Sequence, residues 1–348
     1  MKLAVSAAPS ADNSQPWTLR HDGDHLLIEY EAERMKGTLF PNSHPATLLA
    51  LGCVIENIHQ VTEALGLRMS IETVPSSVDG IEVIKLSLVL GAKEQVSEET
   101  LLNLPLFQRH TNRFPYKKDK IERPSQGKGK EQPDSNIVLQ MVDSRSEILK
   151  LSVLIRNASR VRFQTREIHD WFARTLRFSK LEVQYGDGLD VDTLGLPRGG
   201  RLLLKTTTRS WRNMAMFNRF GGYHLLASTE AASITKAGAI FAIVGPSDAE
   251  SIINAGRKIQ RLWIELNFAG YAVQPYYVIT DQLQRLVEGT VPPLLIPKIH
   301  ELKVKVGDFF KLKEGQVVHM LLRVGVPIKI PKRALRRSLK TNVIEIED

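Results

Sequence analysis

The pattern of apolar positions predicts two similar helix and strand units, one in each half of the chain. In residues 51–75 apolar side chains recur with a period near 3.6 and stop at a glycine, the residue best suited to the left-handed end of a helix. Residues 255–279 align with this segment without a gap. Matching glycines fall at the same positions, Gly52 with Gly256 and Gly66 with Gly270. Each segment predicts a helix followed by a strand, although two amphipathic helices can also match by chance.

Further apolar runs predict strands before and after these helices. They cover residues 25–30, 238–244, 82–90 and 317–324. Both halves therefore mix α and β structure, and the sequence predicts an α+β fold made of two tandem related halves, residues 1–108 and 109–348.

Length and composition agree with two units. A chain of 348 residues exceeds the usual size of a single core, and 43% hydrophobic with 24% charged residues is typical of globular proteins. Residues 117–134 are rich in Lys, Gly, Ser and Pro and predict a surface linker. Residues 179–223 combine glycines with several aromatic residues and predict an irregular insertion that serves as a lid or a second linker.

Charge and cysteine content narrow the classes of function. The net charge of +9 is concentrated near residues 117–130 and 329–340. A lone cysteine, Cys53, can form neither an internal disulfide nor a zinc site, which favours a reducing cytoplasm. The apolar stretch at the N-terminus is too short for a signal peptide, and no run of about 18 apolar residues could span a membrane, so we expect no contact with a membrane.

A dense polar turn stands near the N-terminus, Ala-Pro-Ser-Ala-Asp-Asn-Ser-Gln-Pro-Trp at residues 8–17. Two prolines fix its backbone, and its side chains offer the donors and acceptors that recognise a planar polar heterocycle. The residues alone are equally typical of a capping turn between a helix and a strand.

This turn resembles the signature of the FMN-dependent nitroreductase superfamily. In that family it lies at the dimer interface and reaches a flavin that is bound mainly by the other subunit. The resemblance implies that Ser10, Asn13 and Gln15 approach the isoalloxazine ring of FMN.

A second motif, Arg-His-Thr-Asn-Arg-Phe, begins at Arg109 and is similar to the basic stretch that opens ordinary nitroreductases. An extended backbone here could direct the side chains of Arg109, Thr111 and Arg113 toward one anion and its attached ring. A solvated basic turn is the simpler interpretation of the residues alone. The resemblance implies that Arg109 and Thr111 hold the phosphate or ribityl chain and that Arg113 faces the pyrimidine edge. His110 and Asn112 would be neighbours in the same site.

Two further segments complete the resemblance. Gln274, Pro275, Tyr276 and Tyr277 resemble the family segment whose backbone amide contacts flavin N5, although the two tyrosines could simply pack in the core. The end of the chain resembles the family's basic C-terminus, and it would supply the phosphate contacts. The candidates there are Arg337 first, with Arg336 or Arg333 as its partner.

These motifs are distributed asymmetrically, which predicts one flavin site. The counterpart of the N-terminal turn in the second half, residues 157–164, has lost the prolines. The chain thus resembles the Acg-like branch, whose single-chain members form an intramolecular pseudo-dimer with a lid over the flavin. Some relatives are fused to a ThiF-like domain.

The resemblance implies an FMN oxidoreductase in which hydride passes through flavin N5 to a small electron acceptor, with NAD(P)H as a possible donor. No side-chain acid or metal is required. An FMN-sequestering protein with little turnover is the alternative, because a lid would exclude nicotinamide. A basic nucleic-acid-binding protein fits less well, since exposed aromatics do not interleave the charges. We expect a monomer or a loose homodimer.

Overall fold

The computed structural model describes residues 1–22, 25–78, 81–89, 96–117, 119–122, 136–338 and 341–343. These residues combine α-helices with two main β-sheets, which confirms the prediction of mixed α and β structure. A search of the described helices for one with the length and apolar character of a membrane span finds none.

The helices and strands follow one another in three stretches. The first contains α1 (Lys2–Ala7), β1 (Trp17–Asp22), β2 (His25–Tyr30), α2 (Ala32–Met35), α3 (Pro45–Ala64), β3 (Arg68–Val78), β4 (Ile81–Val89) and α4 (Glu98–Leu102). The second contains β5 (Tyr116–Lys117), β6 (Val138–Val142), α5 (Arg145–Arg162), α6 (Arg166–Thr175), β7 (Leu176–Arg177), α7 (Lys180–Val183), β8 (Leu189–Asp190), α8 (Gly200–Thr207), α9 (Trp211–Arg219) and α10 (Gly222–Ile234). The third contains β9 (Ala239–Pro246), α11 (Ala249–Phe268), β10 (Ala272–Tyr276), α12 (Val278–Val287), α13 (Ile296–Phe310), β11 (Gln316–Pro327) and β12 (Thr341–Val343).

The two main sheets share one strand order. The first runs β3-β4-β2-β1-β12 and the second runs β10-β11-β9-β6. In each, the strand before the long helix lies beside the second strand after it, so β2-α3-β3-β4 corresponds to β9-α11-β10-β11. All neighbours in these two units are antiparallel. The last strand, β12, joins the first sheet in parallel with β1, where Leu19 lies beside Thr341.

The strands and helices predicted from the sequence are confirmed. Strand β2 has the predicted bounds, and β4, β9 and β11 differ from the predictions by one to three residues at their ends. Both long helices end before a glycine with positive φ, +66° at Gly66 and +84° at Gly270. The left-handed conformation costs glycine little free energy, so the two glycines allowed the helix ends to be predicted from the sequence.

The long helices α3 and α11 cross in the centre of the molecule at a pair of glycines. A Cβ atom at Gly52 would lie 2.1 Å from the carbonyl oxygen of Ile253, and one at Gly256 would lie 2.2 Å from that of Leu49. Only glycine allows two helix backbones to approach this closely. The crossing joins the two units into one core that includes side chains of both sheets.

Polar contacts flank this crossing. Buried Glu56 accepts hydrogen bonds of 2.9 and 3.1 Å from Arg261, and Gln260 donates to Asn57 over 2.6 Å. Such buried polar contacts between fixed positions set the register of the two helices.

The segment of residues 179–223 is more regular than predicted. It contains α7, α8 and α9 and the start of α10, in place of an irregular insertion. Ser179 and Ser210 cap two of these helices, and left-handed Gly199 and Gly221 precede the other two. Short helices with such caps leave only a brief apolar period, which is why the sequence pattern did not reveal them.

Most of the predicted linker lies outside the described residues. Within residues 117–134 the structure describes Lys117, which pairs with β11, and residues 119–122. There the backbone N–H of Glu122 donates to the Tyr271 hydroxyl.

We predict that Gly256→Ala lowers the free energy of unfolding by about 2 kcal/mol, because the added methyl group forces the crossing helices apart. The matched control is Gly307→Ala in α13, where a Cβ meets nothing within 4 Å. Alanine there should stabilise the protein by up to about 1 kcal/mol. Urea unfolding of both variants tests the difference, and equal stability changes would contradict the close crossing.

Candidate functional site

The N-terminal turn is held in an unusual backbone conformation. Asp12, Asn13 and Gln15 have φ of 49°, 59° and 47°, and among the described residues Lys311 is the other non-glycine residue with positive φ. Such residues cost on the order of 1 kcal/mol each and persist only where the surroundings fix them. Strain of this kind clusters at functional sites.

Contacts from two distant segments fix the turn. The Gln15 side chain donates to the Gly186 carbonyl over 2.8 Å and accepts from the Arg337 backbone N–H over 3.1 Å. Asn13 donates to the Gly186 and Leu335 carbonyls and accepts from the Arg336 guanidinium. The predicted amides are therefore brought together with the C-terminal arginines. The side-chain amide groups of Asn13 and Gln15 already donate to backbone carbonyls of the protein.

Ser10 has a structural contact as well. Its hydroxyl accepts the Gln15 backbone N–H over 2.9 Å and closes the turn. The polar turn expected from the residues alone is therefore present, but the Ser10 side chain makes no capping hydrogen bond to the short helix of residues 11–13.

The segment that begins at Arg109 runs along the edge of β10. The Asn112 backbone N–H donates to the Val273 carbonyl over 2.8 Å, and the Asn112 side chain donates to the Lys329 carbonyl over 2.8 Å. The His110 carbonyl accepts from the Trp263 indole over 3.0 Å. His110 and Asn112 thus hold the segment in place. The hydroxyl of Thr111 makes no hydrogen bond within the part of the chain that the structure describes, and it can serve a ligand.

Arg109 is a buried cation without an acidic partner among the described residues. Its side chain is covered, with the whole residue only 6% exposed, and its guanidinium lies 4.6 Å from the centre of the Trp263 ring. One nitrogen donates to the Ala7 carbonyl over 3.1 Å, whereas Nε and Nη1 have no hydrogen-bond partner in the described residues. Burial and the charges of Arg336 and Arg333 lower its pKa to about 9.

Arg333 and Arg336 thus lie close enough to act on the charge of Arg109, and we call the three residues the arginine cluster. Burial lowers the pKa of Arg336 to about 10, and Arg333 donates to the Phe107 carbonyl over 2.6 Å. Arg337, the first choice from the sequence, instead forms an ion pair with Glu31 over 3.0 Å. The cluster has an excess of positive charge, so an anion such as a phosphate would relieve both repulsion and desolvation.

Arg113 lies between the strained turn and the second sheet. Burial lowers the pKa of its guanidinium, while Asp12 acts in the opposite direction. The Asp12 carboxylate accepts the Trp171 indole N–H over 2.8 Å, and burial raises its pKa. A Cβ at left-handed Gly195 would lie 2.7 Å from the Arg113 carbonyl oxygen, so the predicted lid segment packs directly on this residue.

The third predicted segment has different surroundings at each residue. Tyr276 is buried and its hydroxyl contacts Ser233, as the core-packing alternative predicted. Pro275 lies opposite Leu322 within the sheet, and the Tyr277 ring lies near His44, with 6.5 Å between ring centres. Gln274 is half-buried and follows Val273, whose carbonyl accepts the Asn112 backbone N–H.

Sequence reasoning missed Arg323, which lies opposite Gln274 on β11. It is fully buried, and its guanidinium donates to the Gln274 side-chain oxygen over 2.7 Å. The available signal was a single charged residue inside the apolar run of residues 317–326.

An ionic network attaches the lid segment to the rest of the site. The Asp187 carboxylate accepts hydrogen bonds from Arg177 over 2.7 Å and from Arg34 over 3.0 Å. Arg34 also faces Glu31, the partner of Arg337. Left-handed glycines at 186 and 188 flank Asp187. This network, which we call the Asp187 latch, holds the Gly186 carbonyl against the side chains of Asn13 and Gln15 in the N-terminal turn.

Comparison with known proteins identifies a relative of this chain but no family. No protein-family model matches the chain. A protein of Mycobacterium tuberculosis (strain CDC 1551 / Oshkosh), described as uncharacterized, is 25% identical over 349 residues. The alignment covers 97% of this chain and 47% of the relative, so the chain spans about half the length of the curated relative it matches.

We predict that Arg109→Met stabilises the ligand-free protein by roughly 1 kcal/mol, because methionine fills the site without the cost of a buried unpaired charge. The same variant should lose affinity for phosphate-containing ligands. Arg261→Met is the control, since it removes a partner of buried Glu56 and should destabilise by at least about 1 kcal/mol. Denaturant unfolding distinguishes them, and destabilisation of Arg109→Met would contradict an unpaired cation.

We predict that Asp187→Asn increases amide hydrogen exchange in residues 185–189 severalfold, because the uncharged amide weakens both arginine contacts of the latch. Asp192→Asn provides the control, since its ion pair with Arg201 is exposed to solvent. Exchange measured by mass spectrometry should change little in the control, and identical exchange in both variants would argue against the latch.

Proposed function

We propose that the chain is an FMN-binding oxidoreductase of the nitroreductase type. The observation that carries the proposal is the arginine cluster, in which the positive charges of Arg333 and Arg336 act on buried Arg109 and no acidic partner stands among the described residues. A phosphate ester is the ligand class that such a cluster favours.

The shared strand order of the two sheets supports an intramolecular pseudo-dimer. The units β2-α3-β3-β4 and β9-α11-β10-β11 correspond, and their long helices cross at the paired glycines Gly52 and Gly256. In a nitroreductase dimer the flavin lies between subunits. Here we propose that it lies between the N-terminal turn and residues 109–113, which belong to different halves.

The residues fit both ends of FMN. Arg109 and Arg336 would bind the phosphate, with the free hydroxyl of Thr111 near the ribityl chain. The strained turn and Gln274 would face the isoalloxazine ring, together with Arg113. Bound FMN supplies hydride transfer through N5. The fixed positive charge of Arg113 would stabilise negative charge that develops on the pyrimidine edge during reduction.

One site per chain follows from the asymmetry of the halves. Residues 157–164, the counterpart of the N-terminal turn, lie at the C-terminal end of α5 and just beyond it, with Arg145–Arg162 helical. A regular helix cannot offer the strained turn that residues 10–15 form. NAD(P)H is a candidate donor and the acceptor is an unknown small molecule.

FMN sequestration with little turnover is the second candidate, and a specific contact favours it. The Gly186 carbonyl binds the side-chain amides of both Asn13 and Gln15. A segment that covers the ring in this way would exclude nicotinamide, because hydride transfer requires stacking of the two rings.

We predict that the purified protein, incubated with FMN and desalted, retains about one flavin per chain and shows the visible absorbance of oxidised flavin. Arg109→Met should retain little, because the phosphate loses its buried cation. Arg261→Met is the control for binding, since Arg261 lies at the helix crossing. A colourless wild-type protein would refute the proposal.

Stopped-flow mixing with NAD(P)H in the absence of oxygen separates the two candidates. Bleaching of the bound flavin within seconds supports the oxidoreductase. A flavin that stays oxidised, but is bleached by dithionite, supports sequestration.

A further inference from the structure

The burial of Arg323 costs more free energy than a residue with only a packing role would require. It lies in the middle of β11 and is fully buried, with its guanidinium 3.6 Å from the centre of the Tyr116 ring. Tyr116 and Tyr276 are its charged or titratable neighbours, and no described carboxylate faces it. A buried cation without a counter-ion costs several kcal/mol, so an apolar residue would serve packing better.

The contacts of Arg323 determine the orientation of one side-chain amide. Its Nη1 donates to the Gln274 Oε1 over 2.7 Å, and its Nη2 donates to the Phe114 carbonyl over 3.3 Å. Because arginine can only donate, Gln274 must present its oxygen to Arg323. The Gln274 Nε2 group is thereby directed away from Arg323 as a donor, and it binds nothing in the described residues.

Gln274 differs in this respect from the other side-chain amides of the candidate site. Asn13 and Gln15 donate to the Gly186 carbonyl, and Asn112 donates to Lys329. Their donor groups are occupied. The Gln274 amide is the one whose donor remains free for a ligand within the described part of the chain.

We infer that Arg323 is a positioning residue, which holds Gln274 so that its amide N–H donates to a carbonyl oxygen of a planar heterocyclic ligand. This inference rests on the proposed function and adds to it the group that recognises the ring. One nitrogen of the Arg323 fork fixes the Gln274 oxygen, the other donates to the Phe114 carbonyl, and the guanidinium lies over the Tyr116 ring. Lysine has one point of attachment and could not reproduce this geometry.

A double-mutant cycle with riboflavin as the probe tests the inference, because riboflavin has the ring without the phosphate. Gln274→Leu removes the donor, and Arg323→Met removes its orientation. We expect each variant to weaken riboflavin binding about tenfold, the loss of one good hydrogen bond. We expect the double variant to be no weaker than either single one, since both changes remove the same interaction.

Thermal unfolding of the ligand-free variants separates positioning from stabilisation. Arg323→Met should melt cooperatively and bind riboflavin weakly, whereas the control Arg261→Met should lose stability but retain riboflavin affinity. If Arg323→Met fails to fold, Arg323→Lys takes its place in the cycle, with the same expected result that its effect vanishes in the Gln274→Leu background.

The possible outcomes distinguish this inference from the proposed function. If the wild type binds FMN and riboflavin but the two effects add, or Arg323→Met binds riboflavin within twofold of wild type, the positioning role is overturned and the proposed function stands. If the wild type binds neither FMN nor riboflavin, both are overturned.

Discussion

The structure depends on the close crossing of α3 and α11, where Gly52 and Gly256 bring two helix backbones into contact. Each helix belongs to a unit with its own sheet, so the crossing sets how far apart the two sheets lie. Strand β12 then joins the first sheet beside β1, and residues 328–338 must cross the N-terminal turn on the way. As a consequence, the N-terminal turn contacts the segment that contains Arg336 and Arg337.

The candidate site contains two buried cations that no described carboxylate neutralises. Arg109 and Arg323 are buried, and no described carboxylate faces either of them. By contrast, Arg261 at the helix crossing is matched by Glu56. A fold can bear unpaired buried cations only where the rest of the core supplies the stability, and a bound anion or polar ring would recover that cost.

The sequence predicted segments that the structure brings near one another, but it did not predict most contacts of their individual side chains. Asn13 and Gln15 bond to residues 336 and 337, and residues 109–113 lie within electrostatic reach of both segments. However, the side-chain donors of Asn13 and Asn112 bind the protein's own carbonyls, and Arg337 is paired with Glu31. Arg323 has no motif around it. Its role depends on Gln274 across the sheet, a partner that no local pattern identifies.

The two long helices, their glycine ends and the strands around them could be predicted from the sequence, because periodicity and left-handed glycines are properties of neighbouring residues. The helices of residues 179–223 were not predicted, because short capped helices leave little periodic signal in the sequence. The packed chain was needed to see which arginines surround Arg109 and which amide keeps a free donor. These depend on contacts between residues up to 323 positions apart, and packing alone sets such distances.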